Sequence, residues 1–257
     1  TQELAKLGIA FRLLSMKQLA STSSWTDGLH RRPAPLAWLR NALAIITALP
    51  ALLRLLRSLR AEVLLSKGLQ SHLLGGLAAW IARVPCVWRA GSRTTNRQQR
   101  AWLRLGSSLY KPVALVSNCR AVADSSQPLV SCPSYLVPNG VELDRFDPDA
   151  ATPRFRDALS LGSDPVLGIV ARPAREKGFD TLVTALEKLS KRVPELRVLV
   201  AGEHPGRDHY EDIFARVTHG RTRFVGHVDD VESFYCSCDV VCLASLERSV
   251  EGLSNAV

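Results

Sequence analysis

The sequence has no GxGxxG run opening a helix, no GxxxxGK[ST], no HExxH and no GxSxG. Dinucleotide dehydrogenases, P-loop ATPases, zinc proteases and serine hydrolases therefore lack here the residue patterns that carry their chemistry. Aromatic residues are scarce at 6%, and 16 glycines with 14 prolines among 257 residues exclude a collagen-like or low-complexity chain. There are six cysteines but no CxxC pair, so a structural zinc site has no cysteine half. Cys236, Cys238 and Cys242 cluster in an apolar run, where reduced cysteine behaves as a small hydrophobe. A cytosolic setting and no bound metal are the expectation.

No apolar run is long enough to span a bilayer. Arg40 and Arg54 bound only 13 uncharged residues, 41–53, with Pro50 among them, where about 20 are needed. Arg54, Arg57 and Arg60 follow with leucines between them. Such a segment can lie on an anionic bilayer surface, or form one or two packed helices with arginines turned to water. The chain opens without methionine or a signal peptide, in what reads as the tail of a helix, as expected of a piece cut from a longer protein.

Acids are the other shortage. Residues 1–123 carry 18 Lys/Arg against three acids, a net +15, whereas 124–257 carry 15 against 21, a net −6. An imbalance of that size fits phosphate-rich partners such as anionic lipid, nucleic acid or a phosphorylated ligand, or else a solvated basic face. No basic stripe interleaved with aromatics and no recognition helix stands out, so nucleic acid is not expected.

What is present is alternation. Strands are predicted at 9–14, 62–65, 86–88 and 113–116, with helices at 36–59, 71–82 and 97–109 between them. After Asp147 the pattern is cleaner, with strands at 166–171, 197–201, 223–225 and 240–243 and helices at 180–192, 208–217 and 230–235. Continuous apolar strands alternating with helices indicate α/β units whose parallel sheets are covered on both faces. Two units are expected, 1–147 and 148–257, joined at a loop of proline and small residues (147–153).

Parallel sheets bind ligands beyond the carboxyl ends of their strands. The first such end here is Arg172-Pro173-Ala174-Arg175-Glu176-Lys177-Gly178, entering a helix. Arg172 and Lys177 can neutralise a diphosphate as charge develops on it, or stand as two exposed loop cations. The second, Gly202-Glu203-His204-Pro205-Gly206, allows close backbone approach or merely turns the chain. At the third, Glu251 and Gly252 open a new helix. Its free N–H groups suit phosphate, and Glu251 is either a helix-start acid or an acceptor for sugar hydroxyls.

The run Val137-Pro138-Asn139-Gly140-Val141-Glu142-Leu143-Asp144-Arg145-Phe146 closely resembles the PNGVDxxRF segment of family-4 retaining glycosyltransferases. The Arg172…Lys177-Gly178 loop resembles that family's phosphate-clamping pair. Residues 224–231 resemble its base-cradling strand end, and 251–257 the opening of its Glu-x₇-Glu motif. The resemblance implies a GT-B architecture, two Rossmann-like parallel-sheet domains facing a cleft, and a nucleotide-sugar donor, UDP- or GDP-linked, with a glycan or lipid-linked acceptor and no metal. It also implies roles. Arg172 and Lys177 would hold the donor diphosphate and Glu251 the donor sugar. Gly252, Leu253, Ser254 and Asn255 would add donor contacts, Gly202 and Glu203 would flank the nucleotide, and Val225, Gly226, His227 and Val228 would meet the base.

The sequence departs from that family pattern in places. The motif's second Glu would fall two positions beyond Val257, and the first strand would precede Thr1, leaving the first domain incomplete. Lys67 stands where the family often has His; with Arg89 and Arg93 it is a candidate acceptor contact, and otherwise a solvated loop residue. His72 reads as a packed or capped helix residue rather than a base. The competing readings are a non-catalytic basic module docking on an anionic membrane and a GT-B sugar-nucleotide epimerase. The expected location is cytoplasmic, with peripheral contact at the inner membrane face.

Overall fold

The structure, a computed structural model, is described here for residues 23–26, 30–33, 35–147 and 151–246. The chain divides into two compact units, Thr1–Pro138 and Asn139–Val257. Residues 139–147 thus go with the second unit rather than the first.

The described part of the first unit begins with an antiparallel hairpin, β1 (Ser23–Thr26) and β2 (His30–Pro33). Helix α1 (Pro35–Ser58) runs through Pro50 as one element. Among the described residues no helix is long and apolar enough to cross a membrane. Strands β3 (Leu64–Lys67), β4 (Cys86–Ala90), β5 (Ala114–Ser117) and β6 (Ser134–Leu136) form a parallel sheet in that order. Between them lie α2 (Leu69–Ala82), α3 (Arg97–Tyr110) and α4 (Arg120–Ser126).

Along β4 the side chains alternate, with Cys86, Trp88 and Ala90 buried and Val87 and Arg89 partly exposed, as strand geometry requires. Trp88 and Leu115 are fully enclosed and packed with Ala79, Leu103 and Val122. A Cβ added at Gly76 would stand 2.8 Å from the Tyr110 ring, so glycine there lets α2 and α3 pack closely. The expected strand 62–65 begins two residues later, and the expected strand 9–14 lies outside the described residues.

The second unit contains α5 (Arg154–Ala158), β7 (Val166–Val170), α6 (Phe179–Arg192), β8 (Arg197–Ala201), α7 (Arg207–Val217), β9 (Thr222–Gly226), α8 (Val231–Cys236) and β10 (Val240–Val241). Its sheet is parallel throughout, in the order β10-β7-β8-β9. Successive β8 side chains feed opposite cores. Val198 and Val200 join Phe179, Phe214 and Phe224, whereas Leu199 and Ala201 join Leu161 and Phe234. Both faces of the sheet are covered, which is why its strands read as unbroken apolar runs. Cys238 and Cys242 pack against these cores; burial pushes the Cys238 thiol up to about 12, and all six cysteines remain unpaired.

The stretch joining the units is pinned at each end. The Val137 N–H donates to the Ser117 carbonyl at 2.8 Å. Arg145 grips Glu232 through Nε at 3.1 Å and Nη2 at 3.0 Å, and Nη2 also donates to the Asp229 carbonyl at 2.9 Å. Between these anchors Val141 and Leu143 are 63% and 78% exposed.

Candidate functional site

The carboxyl ends of β7, β8, β9 and β10 lie side by side because the sheet is parallel and covered by helices. Two glycines draw their loops together. Gly178 sits at φ +76°, and a Cβ there would overlap the Ala244 carbonyl beyond β10. Gly202 sits at φ +144°, where a Cβ would overlap the Ala171 carbonyl beyond β7. Both conformations are ones that only glycine adopts at low cost. Leu246 N–H donates to the Glu176 carbonyl at 3.2 Å, and Gly202 N–H to the Gly226 carbonyl at 2.7 Å. All four strand ends are thereby stitched into one rim.

The loop after β7 carries Arg172 and leads into a short 3₁₀ turn, Arg175–Lys177, capped by Gly178 at the start of α6. Arg172 is exposed and meets Glu176 at 3.6 Å; Arg175 meets Asp180 at 3.1 Å. Tyr210 donates to Asp180 at 2.8 Å, fixing the first turn of α6 against α7. Burial and that carboxylate push the Tyr210 phenol upward, so it stays a donor. Lys177 ends the same turn, with Gly178 between it and the helix.

After β8, Gly202 and Glu203 stand on the rim beside His204, Pro205 and Arg207, which with Asp208 line a shallow cavity. Glu203 Oε1 accepts from the backbone N–H of His227 at 3.4 Å, which ties the β8 and β9 ends together. The His227 ring faces Asp229 at 3.3 Å. Val225 and Val228 pack their side chains against the Leu161 and Phe234 core. Glu251, Gly252, Leu253, Ser254 and Asn255 lie outside the described residues.

One residue of this rim is not apparent from sequence. Arg207 pairs with Glu211 at 3.0 Å, donates to the Phe224 carbonyl at 2.9 Å and lies 5.9 Å above the Phe224 ring. It braces the end of β9 just before Gly226. The i,i+4 spacing to Glu211 was the only available signal.

In the first unit, Lys67 ends β3 and pairs in register with Arg89, which lies within β4 rather than after it. Arg93 lies in the loop beyond β4 and is partly exposed. His72 is not among the exposed groups. Its Nδ1 meets Ser66 Oγ at 2.7 Å and its ring stacks on Trp88 at 4.8 Å, and burial lowers its pKa to about 4. It is a neutral packed residue. Among the described residues no group of three or more His, Cys, Asp and Glu side chains is placed to hold a metal ion.

Solved structures share this fold. A glycosyltransferase from Rickettsia africae ESF-5 superposes with a TM-score of 0.71 at 16% identity, over 96% of this chain and 62% of that one. Anabaena HepE in complex with UDP and glucose gives 0.66 at 18% identity, over 95% and 63%. The architecture is thus α/β with two parallel-sheet units, as in those GT-B proteins. Among curated proteins, the GDP-mannose-dependent alpha-(1-6)-phosphatidylinositol monomannoside mannosyltransferase of Mycobacterium tuberculosis is 33% identical over 131 residues, 46% of this chain and 33% of that protein. Its namesake from Mycolicibacterium smegmatis is 40% identical over 70 residues, 27% of this chain and 18% of that protein. The chain thus spans about a third or less of the length of these relatives. The profile for glycosyl transferases group 1 matches residues 164–257, the unit that carries the rim. Because the Glycosyltransferase Family 4 profile matches residues 1–145, more than half of the sequence, the chain belongs to that family.

Proposed function

We propose that this chain is part of a glycosyltransferase that takes a sugar from a nucleoside-diphosphate donor held on the second unit's rim. The observation that carries the reading is the joining of the Arg172–Gly178 and Gly202–Gly206 loops at one sheet edge, through the Gly202 contact with Ala171. That edge supplies two cations and glycine-containing backbone beside the end of β9. Those are the parts a sugar nucleotide requires.

In this reading Arg172 and Lys177 bind the donor diphosphate. As the glycosidic bond breaks, negative charge accumulates on the leaving phosphate, and the two cations stabilise it more than they stabilise the ground state. Glu176, which meets Arg172 at 3.6 Å, is the partner that the diphosphate displaces. The backbone of Val225, Gly226, His227 and Val228 meets the base, and Gly202 and Glu203 flank the nucleotide. Glu251 accepts hydrogen bonds from sugar hydroxyls, the backbone of Gly252, Leu253 and Ser254 donates to phosphate, and Asn255 adds a donor contact. Lys67, Arg89 and Arg93 face the acceptor. Retention of anomeric configuration is the outcome that the family resemblance supports.

The mycobacterial relatives are named for GDP-mannose and a phosphatidylinositol mannoside. A GDP-linked donor and a lipid-linked acceptor are therefore the first to try, with UDP-linked donors as the comparison. Calorimetric titration of the protein with GDP and UDP tests the reading. We expect one nucleotide to bind, and Arg172→Ala combined with Lys177→Ala to weaken it by about tenfold or more. Binding of neither nucleotide, or equal binding by the double variant, overturns it.

A further inference from the structure

We propose that Glu203 and Arg207 select the base of the donor nucleotide, and that the base they select is guanine. The inference rests on the reading that a nucleotide occupies the rim; it adds which nucleotide, and through which side chains. Two loops meet at one point. A Cβ built on Gly226, at the end of β9, would stand 3.4 Å from Glu203 Oε1 and 3.7 Å from Arg207 Nη1. A carboxylate from the β8 end and a guanidinium from the start of α7 thus flank a residue that has no side chain of its own. The ion pair of Arg207 is with Glu211, through Nε at 3.0 Å, and its Nη2 donates to the Phe224 carbonyl at 2.9 Å. Nη1 is the nitrogen of that fork nearest Gly226. The loop carrying both residues is braced from within, since Gly206 N–H donates to His204 Nδ1 at 3.1 Å and Arg207 N–H to the His204 carbonyl at 2.9 Å. The acid and the cation are therefore held in place before a ligand arrives.

Carboxylate beside guanidinium matches one edge of one common base. Along its Watson–Crick edge guanine presents the N2 amino group, N1–H and the O6 carbonyl, in that order. The first two suit the paired oxygens of a carboxylate, and the third suits a guanidinium. Uracil presents a single N3–H between two carbonyl oxygens, so a carboxylate there gains one donor and is repelled by the neighbours. Adenine and cytosine each place one amino group beside a ring nitrogen that only accepts. Turning Glu203 to a base costs it only the long contact with the His227 N–H, at 3.4 Å. Any single acceptor would hold that amide, so tying β8 to β9 does not by itself require an acid. A base lying on the peptides of Gly226 and His227 does, if the base is guanine.

Calorimetric titration of the protein with GDP, IDP and UDP tests the inference, because IDP is GDP without the N2 amino group. We expect GDP to bind about tenfold or more tighter than either. Glu203→Gln keeps an oxygen for the His227 N–H but puts a donor where guanine also donates. It should cut the GDP-to-IDP ratio to about threefold or less and leave UDP within about twofold of the parent. Arg207→Gln should weaken GDP and IDP by one common factor, since both carry O6, with the parent's circular dichroism retained. A Glu203 that only ties β8 to β9 would, when replaced, weaken all three nucleotides together. That result overturns the inference, as does equal binding of GDP and IDP by the parent, or UDP binding tighter than GDP. Each of these leaves the rim standing as a donor site, whereas binding of no nucleotide overturns both readings.

Discussion

Replacing Gly178 by alanine isolates the contact that holds the β7 and β10 loops together. Two costs combine. Alanine at φ +76° loses about 1 kcal/mol relative to glycine. Its methyl would also overlap the Ala244 carbonyl, a backbone atom that moves only with its loop. An overpacked backbone contact of this kind adds about 1–3 kcal/mol, for a total of about 2–4 kcal/mol. Gly220 is the control, because at φ +77° it has nothing within 4 Å of an added Cβ. Gly220→Ala should therefore lose only about 1 kcal/mol.

Urea unfolding can assign the loss to a unit. All five tryptophans, Trp25, Trp38, Trp80, Trp88 and Trp102, fall in Thr1–Pro138. Indole emission follows the first unit alone, whereas far-ultraviolet circular dichroism follows helices in both. Gly178→Ala should move the non-tryptophan part of the dichroism curve to lower urea by about 1–2 M and leave emission in place. Equal losses for Gly178→Ala and Gly220→Ala would refute the idea that the Ala244 contact, rather than the dihedral alone, demands glycine.

His72 makes the first unit acid-sensitive. Its folded pKa of about 4 lies below the ordinary 6.5. Stability is therefore full above 6.5 and is lost as pH falls from there toward 4, by about 3 kcal/mol. Tryptophan-detected urea midpoints should follow that slope and flatten in His72→Gln. Arg145 holds the Glu232 carboxyl below its ordinary 4.5, chiefly by hydrogen bonding. Arg145→Ala should raise that titration in carbon-13 NMR, and an unchanged curve would remove the clamp from the account. The ion pair contributes above the ordinary carboxylate range and fades as acid protonates Glu232, so the variant's deficit should shrink at low pH.

The second sheet was legible because burial on both faces leaves apolar runs with no alternation to misread. β8 was predicted at 197–201 and forms Arg197–Ala201. The carboxyl-end rule then points from the sequence to Arg172, Lys177, Gly202 and Glu203 on one edge. Other features left little trace. β6 is three partly exposed residues, Ser134–Leu136, and exists only through its ladder to β5. The β1–β2 hairpin lacks an apolar pattern. Arg145 belongs to a signature run, but its partner Glu232 stands 87 positions away, and separations of that length are invisible to local patterning. The Ser66–His72–Trp88 cluster was hidden for the same reason. Polar residues in a core are recognised by their partners, and Trp88 meets Ser66 only through strand register.

The anchored connector also has a practical consequence. Val137 and Arg145 are both held, so a protease that attacks the chain between them finds exposed peptide without having to unfold either core. Elastase or chymotrypsin at low dose should nick near Val141 or Leu143 first, leaving on each side of the cut a fragment that contains its own sheet. That would turn this exposed stretch into a scissile handle between the two sheets.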